Sequence, residues 1–169
     1  NLEMLLDNEG DSYGVNWDRL KENTRLMYEI LDNAIDQNEF TNREIEITQK
    51  SNRKIGLGFM GLANMLYRLE IPYNAQEGRD IIKKIWGLMT EISDEASMKK
   101  AEKFGPFPNF EYSVYRNGRL LRNAIRRTLA PTGTTGFVAE TTGGCEPEYA
   151  LTYTRTTVQG SQIKLKNLT

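Results

Sequence analysis

The residues Pro131-Thr132-Gly133-Thr134-Thr135-Gly136 carry the sharpest chemical signal in this sequence. They read as the end of a strand, a turn, and a helix that starts near Thr134. At such a junction several backbone amides lack helical partners and point one way, and the aligned peptide dipoles add partial positive charge. Glycine lets a ligand approach the backbone, and threonine hydroxyls can donate to anionic oxygens, so the loop suits a phosphate. It is not a P-loop, because no Gly-Lys-Ser/Thr ending follows. The same residues also describe an ordinary helix start, and taken locally the sequence favours that plainer reading.

Two further patterns carry chemistry on paper. Gly56, Gly58 and Gly61 satisfy G-x-G-x-x-G, but a dinucleotide site needs a buried strand in front of it, and Thr41 to Arg53 is polar and helix-like. Close packing within a helix is the expected role of these glycines. Cys145, the one cysteine, stands beside Gly144, Glu146 and Pro147. The chain has no histidine, so Cys-His and Ser-His-Asp nucleophiles are excluded and a zinc site is not expected. Cys145 is therefore expected to be a structural thiol, and Glu146 a solvated or capping carboxylate. The basic groups Arg116-Asn117-Gly118-Arg119 and Arg126-Arg127 are expected to be solvated surface.

The elements that must position these residues follow from periodicity and punctuation. Asn1 to Gly14 reads as a strand end or loop. A helix capped by Asn16 runs to about Asp36, with Trp17, Leu20, Met27, Leu31, Ala34 and Ile35 near helical spacing. Thr41 to Glu44 has the form of a capping box and predicts a short helix through about Lys50. Ile55 to Leu69 is the most apolar segment. Its glycines each cost about 1 kcal/mol of helix propensity, a cost that close backbone packing would offset, and Pro72 ends it. Ala75 to Lys103 predicts a long helix whose buried stripe is Ile81, Ile85, Leu88, Met89, Ile92 and Ala96. Gly105-Pro106-Phe107-Pro108 is a rigid turn, Ala124 to Ala130 a short strand, Thr141 to Pro147 a loop, and Tyr149 to Val158 an alternating strand.

Composition sets the outer bounds. With 169 residues the chain can bury one ordinary core, and its 38% hydrophobic and 27% charged content is that of a globular protein. A net charge of −1 gives no global positive field for nucleic acid or anionic lipid. No apolar run has the length of a membrane span and no secretory signal opens the chain. A single cysteine fits a reducing, cytoplasmic setting. The chain opens on Asn1 rather than Met, which leads to the expectation of a fragment, a processed product or a trimmed piece.

Taken in order, the blocks resemble one family. Asn52-Arg53-Lys54-Ile55-Gly56-Leu57-Gly58-Phe59-Met60-Gly61-Leu62-Ala63, then Gly105-Pro106-Phe107-Pro108-Asn109, Arg122-Asn123, Ala130-Pro131-Thr132-Gly133-Thr134, Gly144-Cys145-Glu146-Pro147 and Tyr153-Thr154-Arg155 look like the large, catalytic chains of ribonucleotide reductases. Upstream, Asn16 to Leu20 and Leu31 to Asp36 are similar in style. The Pro-Thr-Gly-Thr and Gly-Cys-Glu-Pro forms are most like the adenosylcobalamin-dependent, class II branch. Class I chains more often carry a Pro-Ser-Glu-Thr-like first block. Thr135-Gly136-Phe137 departs from the more polar continuation of many relatives.

The resemblance implies an α/β fold, with residues 1–169 a single, incomplete piece of a ten-stranded α/β barrel, helix-rich in its first two thirds. It implies reduction of ribonucleotides to 2′-deoxyribonucleotides by thiyl-radical chemistry, with adenosylcobalamin as cofactor. Pro131, Thr132, Gly133, Thr134 and Thr135 would bind the substrate phosphates, which reverses the plainer reading of that loop. No catalytic residue is expected within the chain. The family's radical cysteine sits on a finger loop upstream, and two reducing cysteines are also needed where this chain has one cysteine in all. Expected partners are the remainder of the catalytic chain, possibly as a separate polypeptide, a ribonucleotide, and a dithiol reductant such as thioredoxin. No direct nucleic acid or membrane partner is expected. A barrel piece has exposed strand edges, so association with its complement or repacking is expected. The alternatives are a class I fragment that needs a radical-generating subunit, and a non-catalytic anion-binding or assembly domain of the same fold.

Overall fold

The computed structural model describes residues 1–148, 150, 152–156, 160 and 162–166. Five helices, α1 (Trp17–Gln37), α2 (Arg43–Asn52), α3 (Leu62–Arg68), α4 (Gln76–Phe104) and α5 (Gly133–Val138), dominate it. The strands are β1 (Leu6–Asn8) and β2 (Tyr13–Val15), paired antiparallel, and β3 (Thr152–Thr156) and β4 (Gln162–Lys166), also antiparallel. The α/β expectation thus holds only coarsely, since the described residues are mostly helical with two small sheets. The chain divides into two compact units, and the division falls within α4 after Ile82.

One unit comprises Trp17–Gly58 and Lys83–Ala130. The predicted apolar stripe of α1 is corrected: Met27 is 42% exposed, and the buried face is Leu20, Thr24, Tyr28, Asp32 and Ile35. Two polar side chains in that face are tolerated because each is hydrogen-bonded. The Thr24 hydroxyl donates to Leu20 O at 2.7 Å. The Asp32 carboxylate accepts from Arg53 Nη2 at 2.8 Å, Lys100 Nζ at 3.0 Å and Asn123 Nδ2 at 2.8 Å. Burial alone would raise the Asp32 carboxyl, but the bonds from Arg53, Asn123 and Lys100 outweigh it and hold it below the usual carboxylate range. The predicted face of α4 buries Ile85, Met89 and Ile92, together with Ser93, Asp94, Ser97 and Lys100.

Arg126 and Arg127 are not solvated. Arg126 is buried with its Nε 2.7 Å from Asp94 Oδ1, and Arg127 Nη1 lies 2.8 Å from the same oxygen. The cap of α2 is Asn42 rather than Thr41. Its Oδ1 accepts from Glu44 N at 2.7 Å and Ile45 N at 3.3 Å, and asparagine is among the strongest capping residues.

The glycine segment is corrected as well. Residues 55–58 are extended, not helical, and run parallel to 125–128. Ile55 N donates to Ile125 O, Leu57 N to Arg126 O, and Thr128 N to Leu57 O, with a parallel bridge between Leu57 and Arg127. The predicted strand over Ala124 to Ala130 is present as this short pairing. A Cβ on Gly58 would stand 2.3 Å from Thr128 O, and one on Gly56 2.6 Å from Thr128 Cγ2. The glycines do serve close approach, but between two extended segments.

The other unit comprises Asn1–Asn16, Phe59–Ile82 and Pro131–Thr169. Asn1 to Gly14 is more ordered than expected: a one-turn 3-10 helix at Glu3–Leu5 leads into the β1–β2 hairpin, in register Leu6 with Val15 and Asn8 with Tyr13. Asn16 Nδ2 donates to Asp7 Oδ2 at 2.6 Å. Helix α3 covers only the last part of the apolar segment and starts after Gly61, whose φ of 81° suits glycine. Leu62, Ala63, Met65 and Leu66 are buried in it, as is Asn64. The strand predicted from Tyr149 to Val158 appears as β3, while Tyr149 and Val158 themselves lie outside the described residues. Its partner β4 was not expected. Among the described residues no helix is long and apolar enough to cross a membrane.

Candidate functional site

Helix α5 begins at Gly133, one residue before the predicted start, and has six residues. Thr132 takes the N-cap position, but no side chain caps the first-turn amides. Its hydroxyl is engaged elsewhere, accepting from Gly144 N at 2.8 Å. The first bond of the turn runs from Gly136 N to Thr132 O at 2.6 Å. Pro131, Gly133, Thr134 and Thr135 are exposed, and a Cβ on Gly133 would meet nothing within 4 Å. The predicted residues therefore come together on one exposed turn. Gly133, Thr134 and Thr135 present it, and Thr132 ties it to the next loop.

That next loop, residues 141–147, folds back onto α5. Thr141 N donates to Gly136 O at 2.9 Å, and Glu146 N donates to Gly143 O at 2.9 Å. Gly136 is buried, and a Cβ there would lie 3.0 Å from Thr141 O and 3.4 Å from Gly143 N. These are backbone atoms that cannot rotate away, so a side chain there would need the loop to give by a few tenths of an ångström, and glycine suits the close approach. This supplies a packing reason for the Thr135-Gly136-Phe137 departure noted in the sequence.

Two residues that sequence reasoning did not single out hold the loop from the other side. Asn64 of α3 accepts from Thr142 N at 2.9 Å through Oδ1, with Thr141 Oγ1 3.4 Å away. The Tyr73 hydroxyl donates to Cys145 O. Burial, followed by the neighbouring Cys145 and Glu146, raises the Tyr73 phenol above its usual range, so it remains a donor at neutral pH. The Thr142 hydroxyl is buried with no hydrogen-bond partner among the described residues. The signal that could have found Asn64 is a carboxamide in the middle of an apolar helical run, which needs a partner once buried.

Cys145 and Glu146 are both exposed, and among the described residues no group of acidic, histidine or cysteine side chains converges to hold a metal ion. Chemically, the arrangement offers backbone amides, threonine hydroxyls and an open surface. Groups of this kind suit an anion, and the described side chains include no acid–base pair or activated nucleophile directed at the turn.

Comparison with known proteins agrees with the resemblance drawn from the sequence. The family model described as "Ribonucleotide reductase, barrel domain" matches residues 1–121 and 119–169. The vitamin B12-dependent ribonucleoside-diphosphate reductase of Thermoplasma acidophilum is 37% identical over 154 residues, which cover 90% of this chain and 20% of the relative. That of Mycobacterium tuberculosis H37Rv is 38% identical over 144 residues, covering 85% and 20%. The ribonucleoside-diphosphate reductase large subunit of Monkeypox virus is 29% identical over 168 residues, covering 84% and 22%. The chain thus spans about a fifth of the length of these relatives. On the match along its whole length and the B12-dependent relatives above 30% identity, the chain belongs to the ribonucleotide reductase barrel-domain family.

Proposed function

We propose that this chain forms part of the ten-stranded catalytic barrel of a class II ribonucleotide reductase, and that its own contribution is to hold the substrate phosphates. The observation that carries the reading is the start of α5. Its first turn has no capping side chain, Gly133, Thr134 and Thr135 are exposed, and the space over Gly133 is open. Amides at a helix start favour an anion through both hydrogen bonding and the peptide dipoles. Thr134 and Thr135 add hydroxyl donors. Thr132 keeps its proton for donation to a phosphate while its oxygen accepts from Gly144. Such a cradle fixes the ribose relative to the reacting groups, so its effect on rate comes through orientation.

Class II is favoured over class I by identity and coverage together, 37% over 90% and 38% over 85% of the chain to B12-dependent reductases, against 29% over 84% to a viral large subunit and 37% over only 59% to a bacterial alpha subunit. Adenosylcobalamin, when bound, supplies the radical that starts the chemistry. The radical cysteine, the reducing cysteine pair and the surface that meets a thioredoxin-like dithiol belong to the remainder of the catalytic chain. The substrate class is a ribonucleotide, and the relatives' names point to the diphosphate.

The test is ribonucleotide reduction with adenosylcobalamin and a dithiol, comparing this chain alone with the chain joined to its complement. Activity confined to the assembled form supports the reading. Inactivity in a mixture shown to assemble, rescued by a radical-generating subunit, would assign class I. Inactivity under both conditions would leave a non-catalytic domain.

A further inference from the structure

The loop that packs against the start of α5 is itself anchored from outside, and one of its anchors is a buried side chain. Asn64 lies in the run Leu62-Ala63-Asn64-Met65-Leu66, where its neighbours are apolar and buried and it is itself only 8% exposed. A carboxamide in such surroundings is costly to bury unless it is hydrogen-bonded. Its Oδ1 accepts from Thr142 N at 2.9 Å, with a longer approach of 3.4 Å from Thr141 Oγ1. The carbonyl of Thr142 is fixed by the same helix start, accepting from Gly61 N at 2.8 Å. Both backbone polar groups of Thr142 therefore end on the first turn of α3.

From Thr142 the constraint passes directly to the turn that opens α5. Thr141 N donates to Gly136 O at 2.9 Å, and Gly136 is packed so closely that an added Cβ would lie 3.0 Å from Thr141 O. Two residues beyond Thr142, Gly144 N donates to the Thr132 hydroxyl at 2.8 Å. Loop 141–144 thus grips α5 at Thr132 and at Gly136, on either side of the three exposed residues. Gly61 allows no side chain at this contact, since its φ is 81° and a Cβ would stand 2.6 Å from Thr141 Oγ1.

We propose that Asn64 is a positioning residue for the phosphate cradle, setting the orientation of the Gly133 to Thr135 amides through its hydrogen bond to Thr142 N. The inference rests on the phosphate reading given above and adds to it a residue that need not touch the ligand. The acceptor oxygen carries the effect, so an aspartate, which keeps an acceptor in place, substitutes where a leucine of similar size does not.

The experiment uses the assembled reductase and three variants, Asn64→Leu, Asn64→Asp and Gly133→Val, each assayed for equilibrium binding of a ribonucleoside diphosphate and of the matching ribonucleoside, which lacks phosphate. The expected result is that Asn64→Leu weakens the diphosphate about tenfold, roughly the loss of one well-aligned hydrogen bond, and leaves the nucleoside unchanged. Asn64→Asp recovers most of that affinity. Equal weakening of both ligands by Asn64→Leu would mean a general structural role and overturn the proposal, as would failure of Asn64→Asp to recover binding. If Gly133→Val weakens the diphosphate while Asn64→Leu does not, the positioning role fails and the phosphate reading survives. If neither variant changes diphosphate binding, the phosphate reading itself fails.

Discussion

Gly133 offers a perturbation whose effects on the protein and on the ligand can be separated. An alanine there adds a methyl group into space with no protein atom within 4 Å. Gly133 is also absent from the residues at positive φ, so the backbone accepts a Cβ. Folding should be unharmed, and the gain in helix propensity, at most about 1 kcal/mol, points the other way. The ligand side is different, because the methyl occupies the approach to the first-turn amides. Losing one charge-assisted hydrogen bond at about 1.5–3 kcal/mol predicts a rise in KM of roughly ten- to a hundredfold. Valine should do at least as much. The assay is steady-state ribonucleotide reduction by the assembled enzyme beside a thermal melt of the same preparation. A KM within about twofold of the parent for Gly133→Val, with the melt unchanged, would refute the assignment of this turn to the phosphates.

Other consequences follow from the packing. Gly58→Ala places a Cβ against the Thr128 carbonyl, a backbone atom, and should cost roughly 1–3 kcal/mol, read as a lower urea midpoint; an unchanged midpoint would contradict the pairing of 55–58 with 125–128. Asp32→Ala strips a shared acceptor from Arg53, Lys100 and Asn123, and should cost about 3 kcal/mol, the low end for a broken buried pair because Arg53 keeps Asp36 and Lys100 keeps Glu29. The pH dependence has a definite sign. Asp32 and Asp94 are held below the usual aspartate range despite their burial, so protons bind the unfolded chain first as pH falls. Stability from these groups is complete above about pH 5 and is lost progressively below it, until the folded carboxylates protonate as well; urea midpoints that stay flat from pH 5 to pH 2 would refute it. Cys145→Ser should leave appreciable reductase activity, since the thiol is exposed and the contact made there is through its backbone carbonyl to Tyr73; complete loss with the fold intact would show a chemical role.

Much of the scaffold was legible because periodicity over a long segment averages out local exceptions. Helices α1 and α4 lie within about a residue of their predicted ends, and α5 starts one residue early. The failures share a cause, which is that the deciding partner is distant in sequence. Nothing near Asp32 announces that Arg53, Lys100 and Asn123 will surround it, so a face that reads as apolar contains a carboxylate. Arg126 and Arg127 read as surface until Asp94, more than thirty residues away, is placed between them. The glycines of 56–58 gave the correct demand, close approach, with the wrong element, because the neighbour Thr128 comes seventy residues later. At the candidate site the turn itself was visible in Pro131 to Gly136. Its supports Asn64 and Tyr73 were not, since each acts on loop 141–145 through a single long-range hydrogen bond.

The central claim is that the first turn of α5 receives the substrate phosphates, and the most direct measurement is a structure of the assembled reductase with a ribonucleoside diphosphate bound. The account predicts phosphate oxygens within about 3.2 Å of the Thr134 and Thr135 amides, with the hydroxyls of the same residues turned toward them. Phosphates seated elsewhere, with Gly133 to Thr135 still open to solvent, would contradict it.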